Sequence, residues 1–227
     1  MLIMKNKSFL LFILLGISIT SFSQEENDTY NTLFKNNGKT SVSGFGGLMM
    51  EFSGMDNQFA FSMGGGGAVL FNQSFFFGGY GLGTVNFPNY TYPQPALNDD
   101  NKSILFGHGG IYTGFIFSPN KPVHIGVSSK FGWGAISIIN DFYKNYNYPY
   151  PYEDYIMDFV FVITPQVEAE FNIAKWFKVN MGLGYRITTG VDETYMPLNS
   201  TEEVPYFDSN AFNSATFQIG LYFGWFK

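Results

Sequence analysis

Six ionisable residues fall on the polar side of segments that alternate between apolar and polar side chains. They are Glu51, Lys130, Glu168, Glu170, Lys178 and Arg186. Three acids and three bases in one confined interior could pair with one another, because an unpaired charge removed from water is costly. The alternative chemistry is a charged passage that conducts ions. Glu170 and Lys178 flank one predicted turn at matching distances, so we expect them to be cross-strand neighbours.

Two histidines, His108 and His124, are the remaining candidates for metal binding or acid–base chemistry. Counted from a predicted turn at 118–121, His124 lies about three residues and His108 about ten residues along its strand, which separates them by roughly 20 Å. They cannot share a metal ion at that distance, and neither has the spacing of a known ligand motif. We therefore predict no metal site, no cofactor and no catalytic residue.

A predicted hairpin from about Asp158 to Gly190 must position most of these charges. One face is apolar along both arms: Phe159, Phe161, Ile163, Pro165, Val167, Ala169 and Phe171, then Phe177, Val179, Met181, Leu183, Tyr185 and Ile187. The other face carries the polar residues: Thr164, Gln166, Glu168 and Glu170, then Lys178, Asn180, Arg186 and Thr188. A period of two is typical of a β-strand whose two sides face different surroundings.

The length of the hairpin arms indicates what these surroundings are. Each arm runs about 12 residues, whereas strands of water-soluble domains favour about 5 or 6 and tilted strands that cross a bilayer need about 9 to 11. We therefore interpret the hairpin as two strands of a transmembrane β-barrel, with lipid against the apolar face and a polar lumen on the other side.

The N-terminus and the composition favour an exported protein. Lys5 and Lys7 precede an apolar run at 9–19 and small residues before Gln24, which predicts a cleavable signal peptide at 1–23. The mature chain would carry 10 basic against 18 acidic residues, a net charge of −8, which disfavours nucleic acid as a partner. The sequence has no cysteine, so we expect neither disulfide bonds nor a cysteine-linked lipid.

Eight alternating segments can be delimited in the mature chain. They predict an all-β fold, an eight-stranded antiparallel transmembrane β-barrel at 40–227, after a short periplasmic lead-in at 24–39. The connections are tight at 72–74, 118–121 and 172–175 and longer at 53–58, 88–103, 140–156 and 191–212. Short periplasmic turns and longer extracellular loops are typical of outer-membrane barrels. The register of the third and fourth strands is left open, since the third is apolar on both faces.

Glycine is concentrated in the first four predicted strands. The run Gly64–Gly67 lacks the Lys-Ser/Thr ending of a phosphate-binding loop and lies within a strand, so we predict no nucleotide site. Strand glycines usually mark bends or close approach of two backbones. Local curvature is the simpler explanation, and the alternative is a smooth wall against which a partner barrel or a structured lipid packs.

Glycine-rich strand motifs recur along the mature chain. They are Gly44-Phe45-Gly46-Gly47, Glu51-Phe52-Ser53, Gly64 to Leu70, Gly78-Gly79-Tyr80-Gly81, Gly107-His108-Gly109-Gly110 and Gly182 to Arg186. In these motifs the chain resembles the small OmpA/OmpX-type barrels, and more closely a group of eight-stranded outer-membrane proteins from Bacteroidota. The resemblance implies an integral outer-membrane barrel and no catalytic residue. Unlike the OmpA pattern, no peptidoglycan-binding domain follows, so we expect no wall-anchoring role.

The predicted external connections are rich in tyrosine. The candidates for recognition are Tyr90, Tyr92, Tyr143, Tyr146, Tyr148, Tyr150, Tyr152, Tyr195 and Tyr206. Tyrosine offers a large, rigid and half-polar contact surface at little entropic cost. The alternative is an aromatic girdle that continues into loops which simply cover the mouth of the barrel. Neighbouring carboxylates lack the ordered spacing of a calcium loop.

These features predict a non-enzymatic integral outer-membrane barrel with a lumen filled by side chains, since eight strands leave little further space. It would be a structural protein or an accessory subunit of an envelope complex, with outer-membrane lipid and an envelope protein as partners. The alternatives are a narrow transporter for small or apolar solutes and a lipid-modifying enzyme. The enzyme is disfavoured because His124 is predicted at the periplasmic end and His108 in mid-barrel.

Overall fold

The structure is a computed structural model that describes residues 40–90, 102–140, 156–197 and 201–226. Within these ranges the chain forms ten β-strands. They are β1 (Val42–Met55), β2 (Gln58–Phe71), β3 (Phe75–Thr84), β4 (Lys102–Phe117), β5 (Val123–Asn140), β6 (Ile156–Ala174), β7 (Phe177–Thr189), β8 (Thr194–Tyr195), β9 (Val204–Pro205) and β10 (Ser214–Gly224). These residues include no helix long and apolar enough to cross a membrane. The predicted signal peptide and lead-in, at 1–39, lie outside the described residues.

Eight of these strands close into one antiparallel barrel in the order β1-β10-β7-β6-β5-β4-β3-β2. The ring closes between β1 and β10, from Phe45 opposite Gly224 to Ser53 opposite Thr216. Strands β8 and β9 form a separate two-stranded sheet within the connection to β10. The predicted all-β, eight-stranded antiparallel barrel is confirmed, whereas the small β8–β9 sheet was predicted only as loop.

The barrel has two unlike ends. The connections 72–74, 118–122 and 175–176 lie at one end, which we call the turn end, and the longer connections lie at the other, the loop end. The prediction of a longer connection at 53–58 is wrong, because β1 and β2 are joined by Asp56 and Asn57 alone. Their φ angles are 46° and 60°. Asp and Asn tolerate this left-handed backbone, so the hairpin reverses within two residues.

The β6–β7 hairpin differs from its predicted boundaries at the turn. A register shift between Asn172 and Ala174 marks a bulge in β6. Strand β6 therefore continues to Ala174, and the turn consists of Lys175 and Trp176 rather than of residues 172–175.

The registers of β3 and β4, which the sequence left open, follow from pairing and burial. Tyr80 lies opposite Gly110, and Leu82 lies opposite His108. The buried side chains of β3 are those of Phe76, Tyr80, Leu82 and Thr84. Even-numbered residues of β3 and β4 therefore point into the barrel.

Two apolar clusters occupy the barrel interior. The loop-end apolar cluster is built from Met55, Ala60, Tyr90, Ile104, Phe106, Ile136, Ile138, Val160, Val162, Phe207 and Phe212. The second cluster, nearer the turn end, contains Met49, Ala68, Leu70, Phe76, Tyr80, Leu82, Tyr112, Ile116 and Tyr222. The charged residues lie among and between these two clusters.

Candidate functional site

The six charged residues predicted to line the interior lie on four strands and point inward. Alternation places Glu51 on β1, Lys130 on β5, Glu168 and Glu170 on β6, and Lys178 and Arg186 on β7. Each residue is at most 3% exposed. Their charges therefore depend on partners within the protein, because bulk water does not reach them.

Glu51, Lys130 and Arg186 form what we call the central cluster. Lys130 Nζ lies 2.6 Å from Glu51 Oε2, and Arg186 Nη1 lies 3.3 Å from Glu51 Oε1. Lys130 also donates to Gln218 Oε1 at 2.7 Å, and Arg186 Nε donates to the carbonyl oxygen of Phe212 at 2.9 Å. Arg186 thus links the buried charges to the chain that covers the loop end. Two cations around one carboxylate leave the cluster with an excess positive charge.

His124, Glu170 and Lys178 form a second group near the turn end, which we call the mouth cluster. Glu170 Oε2 lies 2.8 Å from His124 Nε2 and 3.2 Å from Lys178 Nζ. Glu170 and Lys178 are neighbours across β6 and β7 as predicted, but they are not directly opposite each other. Glu170 pairs with Asn180, and Lys178 pairs with Asn172, because the turn lies at 175–176. The ion pair forms along the diagonal between these two rows.

Glu168 differs from the other five charges, because no lysine, arginine or histidine of the described chain lies within ion-pair distance of it. Its Oε1 accepts hydrogen bonds from Tyr112 Oη at 2.8 Å and Ser128 Oγ at 2.6 Å, and also from the Gln166 amide. Its Oε2 accepts one from Asn180 Nδ2 at 3.0 Å. The structure therefore brings together five of the six predicted charges in two ion-paired groups and holds the sixth by neutral donors.

The loop end of the lumen is closed by apolar side chains. Phe212 and Phe106 are completely or almost completely buried, and their ring centroids lie 5.4 Å apart. Phe207 packs on Phe212 at 5.0 Å. These residues lie directly beyond Arg186, so the polar interior ends in a dry layer at the loop end.

The rim of the loop end carries carboxylates that either accept hydrogen bonds from the backbone or lie close to another carboxylate. Asp158 Oδ2 accepts hydrogen bonds from the backbone N–H groups of Asp192 and Glu193, at 3.0 and 3.3 Å. Partial burial, and then the neighbouring Asp208 carboxylate, raise the pKa of Asp56 in the β1–β2 turn. A carboxyl whose pKa is raised on folding stabilises the folded state when it takes up a proton, so this turn is favoured as the pH falls.

The two histidines lie in different surroundings. His108 Nδ1 is 3.0 Å from Tyr80 Oη, and the His108 ring stacks on Phe106 at 5.0 Å. His124 belongs to the mouth cluster. In the described part of the chain, no three His, Asp or Glu side chains are grouped so that they could hold a metal ion.

Three of the nine candidate recognition tyrosines fall within the described residues, and they pack against one another. Tyr90 is 3% exposed and lies in the loop-end apolar cluster, so it offers no surface to a partner. Its hydroxyl donates to the carbonyl oxygen of Tyr206 at 3.1 Å, and the rings of Tyr195 and Tyr206 lie 4.8 Å apart. The other six candidates lie outside the described residues: Tyr92, Tyr143, Tyr146, Tyr148, Tyr150 and Tyr152.

The outer face of the barrel is apolar over most of its height. Exposed side chains there include Trp133 at 68%, Phe159 at 76% and Trp225 at 73%. Water-soluble domains rarely expose an apolar surface of this extent. The barrel thus has its charges inside and its oily side chains outside.

The sequence reasoning did not anticipate the neutral residues that link the central cluster to Glu168. Gln218 Nε2 donates to Tyr222 Oη at 3.4 Å, and Tyr222 Oη lies 3.5 Å from Tyr112 Oη, which binds Glu168. All three occupy inward positions of the same alternation, so the signal was present in the sequence. The sequence contained no such signal for Phe207 and Phe212, because these residues lie outside any segment with period-two alternation.

Pairing, closure and a charged interior define the class of protein as a closed eight-stranded antiparallel β-barrel. No family model and no curated protein sequence matches the chain.

Several solved structures are similar to it in backbone. Ail, the attachment invasion locus protein of Yersinia pestis, is 11% identical, with 81% of this chain and 97% of that chain covered and a TM-score of 0.45. Neisserial surface protein A is 10% identical, with 82% and 98% covered and a TM-score of 0.48. The outer membrane protein AlkL, solved in lipid bilayers, is 11% identical, with 88% and 96% covered and a TM-score of 0.34. The class assignment therefore rests on the strand pairing of the chain itself.

Proposed function

We propose that this chain is a non-enzymatic integral outer-membrane barrel with a lumen filled by side chains. It acts as a structural protein or as an accessory subunit of an envelope complex. The observation that carries this proposal is the inverted distribution of polarity, with buried ion pairs inside a ring whose outer face is apolar. Such a ring leaves no unpaired strand edge and is stable in hydrocarbon, where every backbone polar group needs a partner.

The closed loop end supports a lumen that does not conduct. The loop-end apolar cluster stands across the path beyond Arg186, and the ion pairs fill the space below it. A narrow transporter would need both the loop-end apolar cluster and the ion pairs to move apart and open a path. The filled barrel is therefore the better-supported function.

Recognition by a partner would fall to the tyrosine-rich connections. Tyr90, Tyr195 and Tyr206 pack on one another and support the cover of the loop end. A recognition surface would therefore use the tyrosines at 92 and 143–152, which lie outside the described residues. The native mass of the protein, extracted in mild detergent with its partners, reports whether it is a subunit.

Tryptophan fluorescence tests whether the barrel spans a membrane. All three tryptophans, Trp133, Trp176 and Trp225, are outward and at least 60% exposed. In bilayers of chain-brominated phosphatidylcholine we expect strong quenching, with Trp133, in the middle of its strand, giving the most deeply quenched component. The Trp133→Phe variant is the matched control, and it should lose that component alone.

The same bilayers should show no unitary conductance. A protein that stays in solution, or whose tryptophans are not quenched, would overturn the membrane assignment. Steady single-channel currents would overturn the filled lumen and favour the transporter. An unchanged lipid A profile in His108→Ala and His124→Ala variants is expected of a non-enzymatic barrel.

A further inference from the structure

A cavity of about 410 Å³ opens at the turn end of the barrel. Its wall includes Asn120, Asn172, Lys175, Lys178 and Phe226. Asn172 Nδ2 donates to the carbonyl oxygens of two residues of the 118–122 turn. This amide ties the β4–β5 and β6–β7 turns together, so the cavity wall is built from connected elements.

Lys178 stands at the boundary between the cavity and the mouth cluster. Its Nζ lies 3.2 Å from Glu170 Oε2 and 4.2 Å from the centroid of the Phe226 ring. The Lys178 residue is only 3% exposed, yet it lines the cavity. Its ammonium group is therefore the charge that a molecule in the cavity would meet first.

His124 shares its carboxylate partner with Lys178. His124 Nδ1 lies 3.0 Å from the carbonyl oxygen of Lys121. His124 Nε2 lies 2.8 Å from Glu170 Oε2, a carboxylate that also faces the Lys178 ammonium. The ring is therefore fixed between the 118–122 turn and β6, beside the Lys178 ammonium.

In the mouth cluster, the Glu170 carboxylate is therefore not reserved for Lys178. The same oxygen, Glu170 Oε2, serves both His124 and Lys178. Glu168 lies one inward position deeper on β6 and accepts hydrogen bonds from the neutral side chains of Tyr112 and Ser128. Tyr222 on β10 accepts a hydrogen bond from Gln218. The three turns at this end contain no acidic residue and add Lys121 and Lys175. Among the described residues that line the cavity, the charged ones are Lys175 and Lys178, both cationic.

We propose that the turn-end cavity binds a phosphate-class oxyanion, which Lys178 and Lys175 contact. The anion is the counter-ion of these two ammonium groups, because the Glu170 carboxylate behind Lys178 is shared with His124. Lysine is a frequent phosphate ligand because its ammonium is a compact point charge.

Two sources could supply this chemistry, a free anion or the headgroup of an anionic phospholipid. Trp176 and Trp225 are exposed near the rim, and tryptophan favours the level of lipid headgroups. Lys175 directly precedes Trp176, so a headgroup phosphate would lie within reach of the cavity. Binding of a free anion is independent of the proposed membrane location, whereas the headgroup source rests on it.

Calorimetric titration of the full chain in maltoside detergent, which contains no phosphate, tests the site. Inorganic phosphate at pH 6 should bind saturably, and the Lys178→Met variant should bind it about tenfold more weakly or worse, as expected for the loss of a charged hydrogen bond. Lys175→Met, an exposed change that leaves the mouth cluster intact, should also weaken binding. Lys102→Met at the loop end is the matched control and should bind as the unaltered chain does.

Sulfate tests whether the site recognises tetrahedral oxyanions in general. It should also bind saturably, and it should bind more weakly to the Lys178→Met variant than to the unaltered chain. Phosphatidylglycerol added to the micelles should displace phosphate if the headgroup is the natural ligand, and diacylglycerol should not.

Three results would overturn the proposal. They are the absence of saturable binding by phosphate, sulfate and phosphatidylglycerol, phosphate affinities of the Lys178→Met and Lys175→Met variants that both equal that of the unaltered chain, and a loss of affinity in the Lys102→Met control as large as that in Lys178→Met. Failure of the tryptophan quenching test would leave binding in maltoside unaffected, so the two proposals fail separately.

Discussion

Glu51 is the residue on which the central cluster depends, because it is the shared partner of Lys130 and Arg186. The Glu51→Gln variant leaves two buried cations without a carboxylate, and we expect it to cost about 3 to 5 kcal/mol of unfolding free energy. Lys130→Met leaves the Glu51–Arg186 pair intact. It should therefore lower the unfolding free energy by only about 1 to 3 kcal/mol, the cost of losing a hydrogen bond to a charged group. Urea unfolding of each variant in lipid vesicles measures the difference.

The double variant Glu51→Gln with Lys130→Met is the control for this comparison. It removes one charge of each sign, so its cost should be smaller than the sum of the two single changes. Equal costs for the two single variants would contradict the assignment of Glu51 as the shared partner.

The sequence revealed which residues point inward but not which of them meet. Period-two alternation identified Glu51 and Lys130 because each follows the rule within its own strand. Their contact joins residues 79 positions apart, and it depends on the curvature and closure of the whole ring. No local pattern carries that information, so the isolation of Glu168 and the double pairing of Glu51 could not be predicted.

The glycines of β3 differ from one another although they look alike in the sequence. A Cβ added at Gly81 or Gly83 would meet no atom within 4 Å, whereas one at Gly78 would lie 2.7 Å from the Cβ of Ala68. We expect Gly81→Ala and Gly83→Ala to be neutral or stabilising by up to about 1 kcal/mol. Gly78→Ala should be destabilising by about 1 to 3 kcal/mol, since it forces the neighbouring strand to move.

Unfolding midpoints in urea compare the three variants, with Gly81→Ala as the matched control for Gly78→Ala on the same strand. Equal losses at all three positions would contradict close approach as the reason for the glycine at position 78, because Gly81 and Gly83 have open space where the Cβ would lie.

Period-two alternation predicted the positions of the barrel strands closely, but it did not predict where the strands end. The two-residue turn at Asp56 and Asn57 was predicted as a longer connection because its flanking residues, Gly54 and Met55, lack a strong strand preference. The bulge in β6 moved the next turn to 175–176 because one extra residue can enter a strand without altering the composition. Turn chemistry and bulges are set by a few residues, so they give a weaker signal than a strand of 14 or 19 residues.

The barrel as a whole depends on its last strand. A chain ending at Asn213 lacks β10, and it leaves β1 and β7 with unpaired edges along the pairs that they make with β10. We expect this chain to lose the folded barrel completely, because the N–H and C=O groups of two open strand edges lose their partners, and in the proposed membrane no water replaces them. The readout is the mobility of unheated protein in detergent gels, where a folded barrel migrates differently from the heated chain.

A chain ending at Gly224 is the control for this truncation. It keeps every pair between β1 and β10, including Phe45 with Gly224. It should still fold, with reduced stability because the Phe226 ring no longer covers Lys178. Folding of the shorter chain to the same species would contradict the requirement for closure.

The seam between β1 and β10 sets the order in which the molecule can assemble. Every other pairing in the ring joins barrel strands that are consecutive along the chain. Most of these pairs are local hairpins, which can form as soon as both strands are present. The seam joins the two ends of the chain, with partners such as Ser53 and Thr216, so it carries the largest entropy of loop closure. We therefore expect circularisation to be the last event of folding and the seam to be where the ring first opens.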